Sequence, residues 1–272
     1  MTGRTLIQKS RKEFIEELAE SVAEDYCPKN VIQPEIIADE NGITYSYNNY
    51  GLCFDGMLEH RFGKFHIYIS LNKRLVHETS ARARFTFAHE LGHYFIDEHR
   101  ISLKNGKTPS HPSYTNFQSK NPIELEADLF AACLLMPKSR FEELSTGQIF
   151  SFNLVDMISK KFNTSLSATL IRYAAIDNNH PICIICSQNG RVKWHRTSSD
   201  FGFKYLKGYD ENISPWTVAG EYFTKKIKRT SDKEEVEAKE WYKIGENYNR
   251  MLYEKCIYAD AQNLVMSVLW ED

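Results

Sequence analysis

The residues of this chain best placed to do chemistry are His89-Glu90-Leu91-Gly92-His93. In a helix that turns about 100° per residue, two histidines four apart lie on one face roughly 40° apart. Both imidazoles then reach a single ion, with Glu90 beside them. A five-residue string arises by chance too often to prove much alone, and its surroundings strengthen it. Over residues 79–97, Ala83, Phe87, Leu91 and Phe95 recur every four positions, the stripe of a helix packed on a core. Gly92 costs such a helix about 1 kcal/mol and marks a place where another backbone can come close.

A hydrolytic Zn2+ site uses three protein ligands and keeps one position for water, so a third ligand has to come from elsewhere. The segment Glu124-Leu-Glu-Ala-Asp128 offers it. Glu124 and Asp128 are four apart and share a helical face, whereas Glu126 is turned by about 200° from either. That selects Glu124 as the ligand and places Asp128 one turn on, where it can accept the second ring N–H of a ligand histidine. Glu126 stays open as an alternative ligand. Asn121 and Glu124 also have the spacing of a capping box, which gives Glu124 a competing role at the helix start. Glu90 is the expected catalytic carboxylate, taking a proton from water and returning it to the leaving amine. Tyr94, His99, His111 and Tyr114 are near enough in sequence to serve as oxyanion donors.

These residues need elements to hold them. Residues 65–71 alternate so that Ile67, Ile69 and Leu71 share one face, which reads as a strand. Residues 42–50, rich in Tyr, Thr and Asn, read as another. If 65–71 is a sheet edge, an extended peptide can add to it and lie across the metal. Ser10 with Glu13, followed by Phe14, Leu18 and Val22, predicts a capped amphipathic helix that ends near Pro28. Residues 99–120 read as a long loop and lid candidate. Asn121-Pro122 starts a second helix whose apolar face is Leu125, Leu129, Ala132 and Met136. Residues 153–175 outline a helix-turn-helix shape. Beyond residues 177–181, a hairpin around Asn189-Gly190, a charged helix over 231–245 and a last strand over 263–270 make a smaller unit. The reading is therefore α+β, with domains at 1–152, 153–178 and 179–272.

Composition excludes several classes. The chain has 272 residues, 34 Lys+Arg against 36 Asp+Glu and 42% hydrophobic residues, which rules out disorder and argues against strong generic attraction to nucleic acid. Its longest apolar run, residues 129–136, is far short of the ~18 a membrane span needs, and residues 1–10 lack a signal peptide's apolar region. The expected location is cytoplasmic. Six cysteines do not make a disulfide scaffold here, and Cys183 and Cys186 in an apolar strand point to opposite faces. Cys27, Cys53, Cys133 and Cys256 read as packing residues. The helix-turn-helix shape offers Arg172, Lys160 and Lys161 for phosphates, thin provision that favours structural or substrate-docking helices over direct DNA binding.

Arg84-Phe-Thr-Phe-Ala-His-Glu-Leu-Gly-His93 followed by Glu124-Leu-Glu-Ala-Asp-Leu-Phe-Ala-Ala-Cys-Leu-Leu-Met-Pro137 resembles the ImmA/IrrE family of zinc metallopeptidases. The likeness continues more loosely through the helix-turn-helix stretch to Gly190-Arg-Val-Lys-Trp194 and Leu269-Trp270, while residues 1–59 match only in general character. The resemblance implies a zincin-like core of small sheet and active-site helices, with His89, His93 and Glu124 at the zinc-ligand positions and Glu90 as the catalytic carboxylate. It also implies a separately encoded helix-turn-helix repressor as substrate, cleaved to relieve repression in a mobile element or stress response, and offers the C-terminal domain as a sensor. Two features depart from the family pattern: the long loop between the motifs, and Asp128 where many members have Asn. The rival reading is a binding protein, a non-proteolytic anti-repressor or ligand sensor whose metal site is structural or vestigial.

Overall fold

The hydrophobic periods of the sequence resolve into an α+β fold. The computed structural model describes residues 7–51, 53–71, 77–106, 113, 121–177, 179–245 and 249–272. The chain divides into two units, residues 1–143 with 157–168, and residues 144–156 with 169–272.

The first unit holds α1 (Lys9–Tyr26), α2 (Pro34–Glu40), β1 (Thr44–Asn48), β2 (Gly56–Arg61), β3 (Lys64–Ser70), α3 (Ala81–Phe95), α4 (Asp97–Lys104), α5 (Pro122–Leu135) and most of α6 (Lys138–Ser145). Its sheet has the order β1-β3-β2, with β1 parallel and β2 antiparallel to β3. Alternation in β3 buries Phe65, Ile67 and Ile69 in the same core as Ala83, Phe87 and Leu91 of α3. Ser80 caps α3, its hydroxyl accepting from the Ala83 amide at 3.1 Å. Asn121 caps α5 by accepting from Ile123 N at 3.1 Å, and Pro122 supplies the first turn.

Several expectations are corrected here. Segment 65–71 is the central strand and not an edge; β1 and β2 flank it, and Gly56 of β2 pairs with Ser113. The first helix is capped at Gln8 with no side-chain bond, and Ser10 lies inside it. The stretch from residue 99 is not all loop, since α4 runs to Lys104; the remaining lid residues apart from 105, 106 and 113 lie outside the described ones, with His111 and Tyr114 among them. On α5 the fully buried stripe is Ala127, Phe130, Ala131 and Leu134; of the expected face, Met136 at the helix end is buried while Leu125, Leu129 and Ala132 are only half-buried. α5 is apolar nearly all round, so its period alone does not choose the inward side.

Helices α7 (Phe152–Phe162) and α8 (Leu166–Ala175) form the helix-turn-helix-like stretch, and their residues fall in both units. The second unit carries β4 (Ile182–Gln188), β5 (Arg191–Thr197), α9 (Val218–Lys225), β6 (Glu234–Glu237), α10 (Ala238–Trp241), β7 (Met251–Ala259) and β8 (Leu264–Trp270). The strands form an antiparallel sheet in the order β5-β4-β8-β7-β6. Asn189 and Gly190 turn the β4–β5 hairpin with φ of 53° and 77°, the left-handed pair such a tight turn requires. The charged helix expected over 231–245 is instead strand β6 and the single turn α10, because Val236 is needed in the sheet core and β6 pairs with β7. Cys183 and Cys186 are buried in β4, while Cys53 is exposed rather than packed. Among the described residues no helix is long and apolar enough to cross a membrane.

The crossing of α3 and α5 sets up the site. A Cβ on Gly92 would lie 3.1 Å from Ala127 Cα and 3.2 Å from both Ala127 O and the Phe130 ring, closer than packed carbons normally come. Gly92→Ala is expected to destabilise the protein by about 1 to 2 kcal/mol in urea unfolding, despite the roughly 1 kcal/mol by which Ala favours a helix, because the extra methyl meets backbone that cannot rotate away.

Candidate metal centre

One helical turn of α3 brings the His89 and His93 rings to 4.8 Å between centroids, and their Nε2 atoms to 3.1 Å. The first turn of α5 then delivers Glu124, whose Oε2 lies 3.3 Å from His89 Nε2 and whose Oε1 lies 3.5 Å from His93 Nε2. All three side chains are buried, and their ligand atoms lie within 4.8 Å of one another. Two imidazole nitrogens and one carboxylate converging in this way are the donor set of a divalent transition metal, and they match the His2Glu combination of hydrolytic zinc sites. The other ring nitrogens are occupied. His89 Nδ1 lies 2.9 Å from Asp128 Oδ1, one turn along α5 from Glu124. His93 Nδ1 lies 3.2 Å from His99 Nδ1, and His99 Nε2 lies 3.3 Å from Glu126 Oε2. Glu126 also accepts from Arg11 of α1 at 2.7 Å. The structure thus brings Glu124 and Asp128 to the HExxH histidines and turns Glu126 toward Arg11 and His99.

Glu90 is fully buried, and among the described residues no donor closes a full hydrogen bond on either carboxylate oxygen, although the Ser113 hydroxyl and the Leu58 backbone N–H face it. A Cβ on Gly56 at the start of β2 would sit 2.6 Å from Glu90 Oε1 and 2.5 Å from Thr86 Cγ2, so only glycine leaves this carboxylate its place. Ser113 lines the edge beside it, its N–H donating to Gly56 O at 2.9 Å and its carbonyl accepting from Asp55 N at 2.9 Å. A cavity of about 300 Å3 opens alongside, with Leu58, Glu90, His93, His99, Leu103 and Ile123 among its walls. Of the described oxyanion candidates, His99 is engaged with His93 and Glu126, and Tyr94 packs edge-on against Phe65.

The charges of the cluster are set by burial and by one another. Burial would drive the proton off His89, but Asp128 and Glu124 hold its pKa up at about 10. Burial pushes His93 down to about 3. Burial disfavours the Glu124 carboxylate, yet the two imidazoles keep its pKa well below the usual range. Burial also pushes the Glu90 carboxyl up to about 7, against the opposing pull of His89. The carboxylates thus favour a charged His89 and the imidazoles a charged Glu124, a balance that a bound cation would replace.

A helix with two histidines one turn apart and a carboxylate between them, joined by a carboxylate from a second helix, is the arrangement of HExxH metallopeptidases. Residues 58–173 match the family model Peptidase_M78, described as the IrrE N-terminal-like domain, which supports for this segment the ImmA/IrrE resemblance of its motifs. No curated protein matches it. Among solved structures it is similar to a Mycobacterium tuberculosis transcriptional regulator, with a TM-score of 0.61 and 14% identity over 96% of this chain and 78% of that one, a likeness of fold.

Three contributors escaped the sequence reading. Gly56 and Arg11 lie far from the motifs and carry no local mark, and His99 was noticed only as an oxyanion candidate, because its approach to His93 depends on the sharp turn from α3 into α4 at Ile96. Asp128→Ala is expected to weaken divalent-metal binding about 10- to 100-fold with the fold intact, read by competition against a chromogenic chelator and by circular dichroism.

Proposed function

We propose that the chain is a zinc-dependent endopeptidase that cleaves a separately encoded helix-turn-helix transcriptional repressor and so relieves repression. The convergence of His89, His93 and Glu124 beside the buried carboxylate Glu90, which no donor among the described residues saturates, carries this reading. His89, His93 and Glu124 would hold Zn2+, which supplies Lewis acidity at the scissile carbonyl and makes water a better acid there. Glu90 takes a proton from the attacking water onto a carboxylate oxygen and returns it to the nitrogen of the leaving amine. Its pKa near 7, set chiefly by burial, suits a group that must both accept and release a proton near neutrality. Asp128 holds His89 from its far nitrogen. Because β3 is interior, the strand offered to an extended substrate is β2, beyond the Gly56–Ser113 pair at its start.

The regulatory half of the proposal draws support from the family and from the similarity in fold to a protein described as a transcriptional regulator. In this reading α7 and α8 are structural or docking helices, and the chain acts on a repressor protein in the cytoplasm rather than on DNA. Zinc-loaded protein mixed with the helix-turn-helix repressors encoded beside it is expected to yield one discrete fragment by mass spectrometry. Glu90→Gln should retain the metal and cut at least about a hundredfold more slowly. Release of repression undiminished by Glu90→Gln would identify a contact-only anti-repressor instead.

A further inference from the structure

His89 and His93 are supported differently on the side away from the metal group. A carboxylate meets His89 Nδ1 directly, through Asp128 at 2.9 Å. His93 Nδ1 instead meets another histidine nitrogen, His99 Nδ1, at 3.2 Å. Two ring nitrogens at that distance share one proton, so one ring donates and the other accepts. The far end of His99 decides which. His99 Nε2 lies 3.3 Å from Glu126 Oε2, and Arg11, which stays charged, lies 2.7 Å from the same oxygen and keeps Glu126 an acceptor. Arg11 is itself gripped by both oxygens of Glu98, at 3.0 and 3.1 Å.

We propose that His99 is a positioning residue for His93: Glu126 fixes the proton of His99 on Nε2, which leaves His99 Nδ1 bare to accept from His93 Nδ1–H and turns the lone pair of His93 Nε2 toward Glu124 and His89. This rests on the reading of His89, His93 and Glu124 as metal ligands. The relay runs from α1 through α5 and α4 to α3, and its outer end, Arg11, lies outside the residues 58–173 that match the family domain. The opposite tautomer would place an N–H where the ligand lone pair is needed, so the relay prepares the site before any ion arrives.

The test uses the full chain. In metal-free wild-type protein, 15N-detected histidine spectra should show His93 protonated at Nδ1; His93 protonated at Nε2 overturns the proposal without recourse to any variant. With Zn2+ as the probe in chelator competition, His99→Phe, which keeps a ring of similar size but no nitrogen, should bind about 10- to 100-fold more weakly. His99→Asn, whose side-chain oxygen falls near the former Nδ1, should recover most of the loss. Affinity unchanged in His99→Phe overturns the proposal as well. If the His89→Ala, His93→Ala double variant binds Zn2+ as tightly as wild type, the metal reading itself fails, a result separate from the tautomer that His93 shows.

Discussion

The approach of α5 to α3 at Gly92 is the constraint on which the rest of the site depends. With a glycine facing the Ala127 backbone, the two helices come close enough for a short glutamate side chain to reach two imidazoles on the other helix. A methyl at 92 would press on the Ala127 backbone and the Phe130 ring, so the spacing that lets one carboxylate meet both imidazoles relies on the glycine. The helix propensity given up at Gly92, about 1 kcal/mol, is small beside what the approach permits. It allows four buried ionisable groups, His89, Glu90, His93 and Glu124, to sit in one core, an arrangement that burial strongly opposes unless the groups satisfy one another or a cation.

What the sequence reveals of this is the part coded locally. Four-residue recurrence and a Ser cap define α3; Asn-Pro starts α5; Asn-Gly turns the β4–β5 hairpin. Each signal lies within a few residues of the structure it makes, and so does the spacing that separates Glu126 from Glu124 and Asp128. The parts that stayed hidden depend on pairing over distance. Strand order is one: nothing in residues 65–71 tells a central strand from an edge, because half-burial and alternation look the same in both until the partners are known. The inward side of α5 is another, since a helix apolar on every side is oriented by its neighbours. Residues 231–245 show charge outweighing pattern: acidic and basic residues suggest a solvated helix, but one well-placed Val and the β7 ladder make a strand of four of them.

The second unit repeats the lesson with a buried carboxylate of its own. Glu254 in β7 is wholly buried, and accepts from Val218 N at 2.9 Å, Ala219 N at 3.1 Å, Trp241 Nε1 at 3.1 Å and Ser267 Oγ at 2.9 Å. With these donors and the Cys256 thiol around it, this carboxylate ties the start of α9 and the turn α10 to the sheet. Glu90 is equally buried and, among the described residues, has no such set of donors. Burial is the same in the two cases and satisfaction is not. A fully bonded carboxylate has no capacity left for a reactant, whereas Glu90 keeps both oxygens for one.

The three carboxylates that organise the candidate centre, Glu124, Glu126 and Asp128, all belong to the first half of α5, and α5 lies between α3 on one side and α1 on the other. The 200° turn that separates Glu126 from its neighbours therefore has a use: one face of the helix addresses the imidazoles of α3, and the other reaches Arg11 and His99. Because a helix moves as a rigid body, displacing α5 by even a fraction of an ångström alters the contact to both Nε2 atoms and the support of both Nδ1 atoms together. The donors of the candidate centre, the support of both histidines and the docking of α1 thus all depend on how α5 is placed.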